Sequence, residues 1–318
     1  MNERHDPYLL QLANRLAGGL ASMATDRQRR HRNWILSQQK DDGGWGGRLG
    51  DSDLYYTSFA VRGLGLLGGL TSVECMRVSD YLRTFAWQRL GVIDLMNWLY
   101  TVLAVQASGG EDLLAQADHG WARQIADRLE SLRREDGGYA KTEQGARGST
   151  YHSFLVTLTY ELLGMQPPRP QALIQFLYDH QRDDGGFVEI ALAKHSGTNP
   201  TAAAVATLSI VGGLDAQIRS DVSEFLASTW TVEGGFQANL RITMADVLST
   251  FTGLLTTQDL DIDDLVSEQL IERFLVEWLE LPPGGFRAAA WDHEADVEYT
   301  FYGLGCLALL SSRRKPSP

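Results

Sequence analysis

Carboxylates recur in this 318-residue chain just ahead of apolar stretches. Asp53 precedes Leu54-Tyr55-Tyr56, Asp94 lies in Ile93-Asp94-Leu95, Asp246 precedes Val247-Leu248, and Asp296 and Glu298 flank Val297. A carboxyl buried beside other acids keeps its proton near neutral pH and can serve as a general acid. On that ground Asp53, Asp246 and Asp296 are candidate catalytic acids. Each alone also reads as a helix N-cap, whose side-chain oxygen accepts a free backbone N–H. Asp296 and Glu298 are two positions apart, a spacing that does not share one helix face. Aromatic residues gather at the same places: Tyr55, Tyr56, Trp98, Tyr151, Trp291, Tyr299 and Tyr302. Their π faces can hold a cation or pack a hydrocarbon chain. Tyr56, Trp98, Trp291 and Tyr299 are therefore candidate ligand contacts, with His152 as a loop-edge candidate beside them.

These residues need elements to position them, and the glycines reveal those elements. The chain has 32 glycines against 9 prolines, and many glycines come in pairs followed by an aromatic. The series is Gly43-Gly44-Trp45, Gly137-Gly138-Tyr139, Gly185-Gly186-Phe187, Gly234-Gly235-Phe236 and Gly284-Gly285-Phe286. The first interval is 94 residues and the others 48, 49 and 50, so a degenerate unit is expected near Arg89-Leu90-Gly91-Val92. A fixed period of this size marks repeated supersecondary units. Each unit reads as an amphipathic outer helix, a glycine turn, a polar loop and a second helix that is apolar or small all round. A helix of the second kind is buried on every side. Small residues in the inner helices (Ala, Gly, Ser, Thr) favour a closed ring over an open solenoid. The expected fold is all-α, a barrel of six helix pairs over residues 31–312. Residues 1–30 form an N-terminal helical segment and residues 313–318 a basic tail.

The pattern Trp34-Ile35, Gln39, Gly43, Trp45, repeated as Phe176-Leu177, Gln181, Gly185, Phe187, resembles the repeat of squalene–hopene and oxidosqualene cyclases and of protein prenyltransferase β subunits. Asn199-Pro200-Thr201-Ala202-Ala203-Ala204-Val205 and Asp296-Val297-Glu298-Tyr299-Thr300-Phe301-Tyr302 are similar to inner-helix starts of the β subunits, whose six-unit count also matches. The resemblance implies a six-fold α/α toroid with a deep apolar cavity lined by inner-helix N-terminal ends. It also implies an isoprenoid or isoprenoid diphosphate ligand, and a helical partner subunit or homo-oligomer. The β subunits hold a catalytic zinc with Asp, Cys and His. Here Asp246 matches the Asp, but Leu248 stands at the Cys position and Tyr299 at the His position. Leucine has no donor atom, so no metal site and no cofactor are expected, except Mg²⁺ accompanying a diphosphate. Of the family's diphosphate contacts, His195 matches one, and Arg241 is available for another. Both can bind phosphate oxygens through charge-assisted hydrogen bonds.

Class II terpene cyclases protonate an alkene with an Asp-x-Asp-Asp acid. Asp261-Ile262-Asp263-Asp264 has that form, but it precedes an outer helix and reads as helix-start acids. The expected function is an isoprenoid-binding or isoprenoid-converting protein without family-type zinc. The alternatives are a non-catalytic lipid-binding toroid and a subunit of a complex. Net charge −12 argues against nucleic acid. Two cysteines exclude a disulfide scaffold. No signal peptide or transmembrane stretch is expected, and the setting expected is cytoplasmic.

Overall fold

A computed structural model describes residues 6–115, 117, 119–262 and 264–313. Residues 314–318 of the expected tail, and Asp263 of the acidic motif, lie outside the described residues. The order of elements is α1 (Tyr8–Leu20), α2 (Thr25–Ser37), α3 (Leu54–Leu66), α4 (Ser72–Arg83), α5 (Val92–Ala107), α6 (Trp121–Ser131) and α7 (Thr150–Leu162). It continues with α8 (Pro170–Tyr178), α9 (Thr198–Val211), α10 (Ala216–Thr229), α11 (Val247–Asp259), α12 (Glu268–Arg273) and α13 (Val297–Arg313). α12 runs into a π-helical turn, Phe274–Leu279, and a short antiparallel pairing joins Phe286–Arg287 to Ala295–Asp296. α2 starts at Thr25 and so crosses the boundary expected at residue 30.

Even-numbered helices from α2 to α12 form the outer layer, and odd-numbered helices from α3 to α13 the inner one. Each inner helix packs against the next, and α13 packs back against α3, so the inner layer closes into a ring. The toroid is therefore closed, as the small residues predict. In α9, Ala203, Ala204 and Ala206 are buried and let neighbouring backbones approach.

Turn chemistry explains the repeat. Gly185 has φ +84°, and a Cβ there would stand 2.1 Å from the Asp221 carbonyl oxygen on α10. The glycine thus supplies both a left-handed turn and space for the next outer helix. The aromatic that follows is buried, and its backbone N–H is held by a hydroxyl of the next inner helix. Phe187 N donates to Thr201 Oγ1 at 2.9 Å, Phe236 N to Thr250 Oγ1 at 3.1 Å, and Phe286 N to Thr300 Oγ1 at 3.0 Å. Tyr139 N–Ser153 Oγ and Trp45 N–Thr57 Oγ1 are the same latch. In the second unit, where the glycine pair is lost, a 3₁₀ turn at Trp87–Arg89 leads almost directly into α5. Trp98 there donates from its indole to the Leu82 carbonyl, 3.2 Å away.

Sequence ends meet in two places. Glu280 takes hydrogen bonds from Arg27, Arg30 and buried His31 of α2. His31 Nδ1 accepts from Gly285 N at 3.1 Å, so its Nε2–H faces Glu280. At the same end of the barrel wall, beside the short strand pairing, Arg48 grips Asp292 with both amino groups and lies 3.5 Å from Asp296.

α1 is not part of the ring. It lies across the inner helices at their C-terminal end, packed chiefly on α13 and also touching α3 and α7. Tyr8 Oη donates to Asp259 at 2.7 Å, Tyr8 N to Glu161 at 3.1 Å, and Arg15 pairs with Asp259 at 3.0 Å. Gly19 lets it lie against Ala308, whose carbonyl oxygen a Cβ would meet at 2.1 Å.

Candidate active site and central cavity

The inner ring encloses a cavity of about 900 Å³. Its floor is α1, through Leu9, Leu12 and Leu16. Its wall is largely hydrocarbon and aromatic: Phe59, Phe154, Phe251, Phe301, Tyr302 and alanines of α9. Asp53 both lines it and is exposed to solvent, so the cavity reaches solvent at the inner-helix N-terminal end.

That end carries the acids, and the local fold explains their positions. Asp53, Asp246 and Asp296 each accept a backbone N–H three residues on, at 2.8, 2.7 and 2.9 Å. They are N-caps, and capping is what places them at the mouth. Desolvation raises the carboxyl pKa of all three, opposed by those capping hydrogen bonds. Glu298 goes further: burial pushes it up to about 7, the Tyr55 hydroxyl opposes the rise, and Asp296 and Asp53 add to it. Tyr55 Oη donates to Glu298 Oε1 at 2.6 Å, and the Tyr55 ring lines the cavity. Asp296 and Glu298 do act on one another despite their spacing. Asp296 belongs to the strand pairing ahead of α13, so the helix-face rule does not govern the pair.

Of the other expected contacts, none lines the cavity. Trp98 is buried against Trp87 in the wall, with ring centroids 6.5 Å apart. Tyr56 packs over Gly47, and Tyr299 lies under Arg48, 5.8 Å from its guanidinium. Trp291 is 63% exposed. His152 Nδ1 meets Ser149 Oγ at 2.7 Å, its Nε2 is buried without a partner, and burial lowers its pKa. His195 and Arg241 are exposed in the loops before α9 and α11, and neither lines the cavity. At the positions that carry zinc ligands in the resembling family, Leu248 is cavity wall and Tyr299 has its phenol pushed up to about 12 by burial and nearby acids. This donor set does not fit zinc, and no group of three or more His, Cys, Asp or Glu among the described residues is arranged to hold a metal ion.

Sequence reasoning passed over Arg62. It lies on α3 two turns below the mouth and faces the cavity. Its guanidinium stacks on Tyr100 at 4.4 Å and sits 5.2 Å from Phe59. The one signal available was a lone cation in the otherwise apolar run Leu54–Leu66.

No curated protein matches the chain. Among solved structures it is similar to Candida albicans protein geranylgeranyltransferase-I complexed with GGPP, with TM-score 0.71 and 14% identity over 89% of this chain and 90% of that one. It is also similar to the type II terpene cyclase MstE from Scytonema in complex with geranylgeranyl dihydroxybenzoate, with TM-score 0.61 and 13% identity over 96% and 99%. A GH76A alpha-1,6-mannanase from Salegentibacter shares the architecture at TM-score 0.61 and 9% identity, over 90% of this chain and 98% of that one. At these identities the likeness is one of fold. The family model for the prenyltransferase alpha-alpha toroid domain matches residues 8–98 and 95–254. With most of its length matched, its repeat period explained and its ring closed, the chain belongs to the prenyltransferase alpha-alpha toroid domain family.

Proposed function

We propose that this protein binds an isoprenoid chain in its central cavity. The observation that carries the reading is the cavity itself. About 900 Å³ of apolar, aromatic-walled space, floored by a helix of its own, lies at the upper end of small-molecule sites, which span about 300–1,000 Å³. Two fold neighbours were solved with geranylgeranyl compounds, GGPP and geranylgeranyl dihydroxybenzoate. Binding rather than zinc-dependent transfer fits the donor set, since Leu248 offers no ligand atom.

A second reading, conversion of the bound chain by proton donation, is favoured by Glu298. At a pKa of about 7 a substantial fraction keeps its proton at neutral pH. Tyr55 connects it to the cavity wall, and Asp53 is the acid that touches the cavity. The proton would add to an alkene carbon, and loss of a different proton would end the reaction, giving an isomer of unchanged mass.

The test uses a plug. Ala202 lines the cavity from α9. Ala202→Trp fills the space and is expected to abolish binding of geranylgeraniol, followed by tryptophan fluorescence or calorimetry, while circular dichroism stays native. Undiminished binding by the plugged variant would reject the cavity as the site. Chromatographic retention and proton NMR of the recovered ligand separate the readings: an isomer demands catalysis, and unchanged ligand supports binding alone.

A further inference from the structure

Arg62 is the cavity's single positive side chain. Among the lining residues it is the one Lys or Arg, and Asp53 at the mouth is the one acid. No carboxylate of the described residues lies within ion-pair distance of its guanidinium. Its Nε is buried with no hydrogen-bond partner. One amino group makes only long contacts, 3.5 Å to Asn97 Oδ1 and 3.7 Å to Met96 Sδ. The Tyr100 phenol is near enough to accept a hydrogen bond from Arg62, and those of Tyr151 and Tyr302 to feel its charge; burial keeps all three protonated, so none neutralises it. Arg62 is half-buried, and a partly desolvated charge without a counter-ion carries a cost that stacking on Tyr100 offsets only in part.

We propose that Arg62 receives the carboxylate of a carboxylate-terminated hydrocarbon that enters the cavity head first. This deepens the isoprenoid-binding reading and rests on the same cavity. Charge counting selects the class. One guanidinium matches one carboxylate in a bidentate pair. A diphosphate carries several negative charges, and no second cation lines the wall to meet them. A neutral alcohol would leave Arg62 uncompensated. The hydrocarbon then runs along Phe59, Phe154 and Phe251 toward the mouth, and the protonated tyrosines supply further donors around the head group.

Four C20 or comparable probes test this with the full chain at one pH: geranylgeranoic acid, geranylgeraniol, geranylgeranyl diphosphate and the straight-chain stearic acid. The expected result is that geranylgeranoic acid binds at least tenfold tighter than the alcohol and at least as tightly as the diphosphate. Arg62→Met removes that margin by weakening the acid, and does not weaken the alcohol. Equal affinity for acid and alcohol in the unaltered protein overturns the proposal, whether or not the variant folds. So does a diphosphate that outbinds the acid. Stearic acid binding as tightly as geranylgeranoic acid upholds the carboxylate site while removing the isoprenoid reading. Alcohol binding with no advantage to the acid removes the carboxylate site alone, and binding of none of the four removes both.

Discussion

Glu298 holds a proton where an exposed glutamate would not. Burial is the main cause, and the charges of Asp296 and Asp53 add to it. Its folded pKa, about 7, lies above the ordinary 4.5, so the folded state binds the proton more tightly than the unfolded chain. Its stabilisation is full below about pH 4.5 and is lost as pH rises through 7. Between pH 5 and 8 this costs on the order of 2–3 kcal/mol. Glu298→Gln, which mimics the protonated state, is expected to remove that part of the decline, measured by denaturant unfolding of both proteins at the two pH values. If both lose the same stability, Glu298 does not titrate as described. Loop residues give the opposite expectation. His195 is exposed and off the cavity wall, so His195→Ala is expected to change geranylgeraniol affinity by less than about twofold, within the usual ±0.5 kcal/mol of surface substitutions. The mouth acids were visible in sequence because caps sit at predictable helix starts. Arg62 was not, because an apolar inner helix does not show which of its faces meets a void.

At the scale of the helix pair, the glycine turn is legible and the hydroxyl latch is not. The glycines recur in sequence as pairs, whereas Thr201, Thr250 and Thr300 stand among many other small polar residues of the inner helices. Each stands 14 residues after its aromatic, but only the fold shows that its hydroxyl accepts the aromatic's backbone N–H. Thr201 Oγ1 accepts from the buried Phe187 N and also donates to Gly197 O at 2.7 Å. Thr201→Val keeps the shape and orphans Phe187 N, while Gly197 O keeps the residue 201 backbone N–H as donor. The expected destabilisation is about 1–3 kcal/mol, while Thr201→Ser retains most of the stability. Equal losses in the two variants would show that the methyl, not the hydroxyl, does the holding. α1 was readable as a helix but not as a floor, since its amphipathic pattern gives no partner. Its place is set by Tyr8 and Arg15 reaching Asp259, contacts some 250 residues away in sequence.

Closure decides whether these pairs make a cavity at all, since an open solenoid of the same six units would leave the inner helices facing solvent. The seam is polar and concentrated on Glu280, just after the π-helical turn. Burial alone would raise its pKa; hydrogen bonds from His31 and Arg27 and the charge of Arg27 outweigh that and hold it down at about 2. Here the sign is the reverse of Glu298. The contribution is full above the ordinary 4.5 and is lost as pH falls through about 2. Gly284 makes the same seam close in space: its φ is +108°, and a Cβ there would meet the Arg30 carbonyl oxygen and the Trp34 Cβ, each at 2.8 Å. Glu280→Ala leaves Arg27 and His31 without their acceptor across the junction, a loss expected to cost about 3 kcal/mol at neutral pH. Because the first and last units are joined here, the damage is expected to reach the cavity: geranylgeraniol affinity should fall together with stability, although Glu280 touches no ligand. Glu280→Gln keeps an acceptor and should lose less at pH 7, and it should show a smaller further loss than the unaltered protein between pH 4.5 and 2. Thermal unfolding and ligand titration of the same samples decide the point. A Glu280→Ala protein that loses stability while binding undiminished would mean that the inner ring holds itself closed without the outer seam.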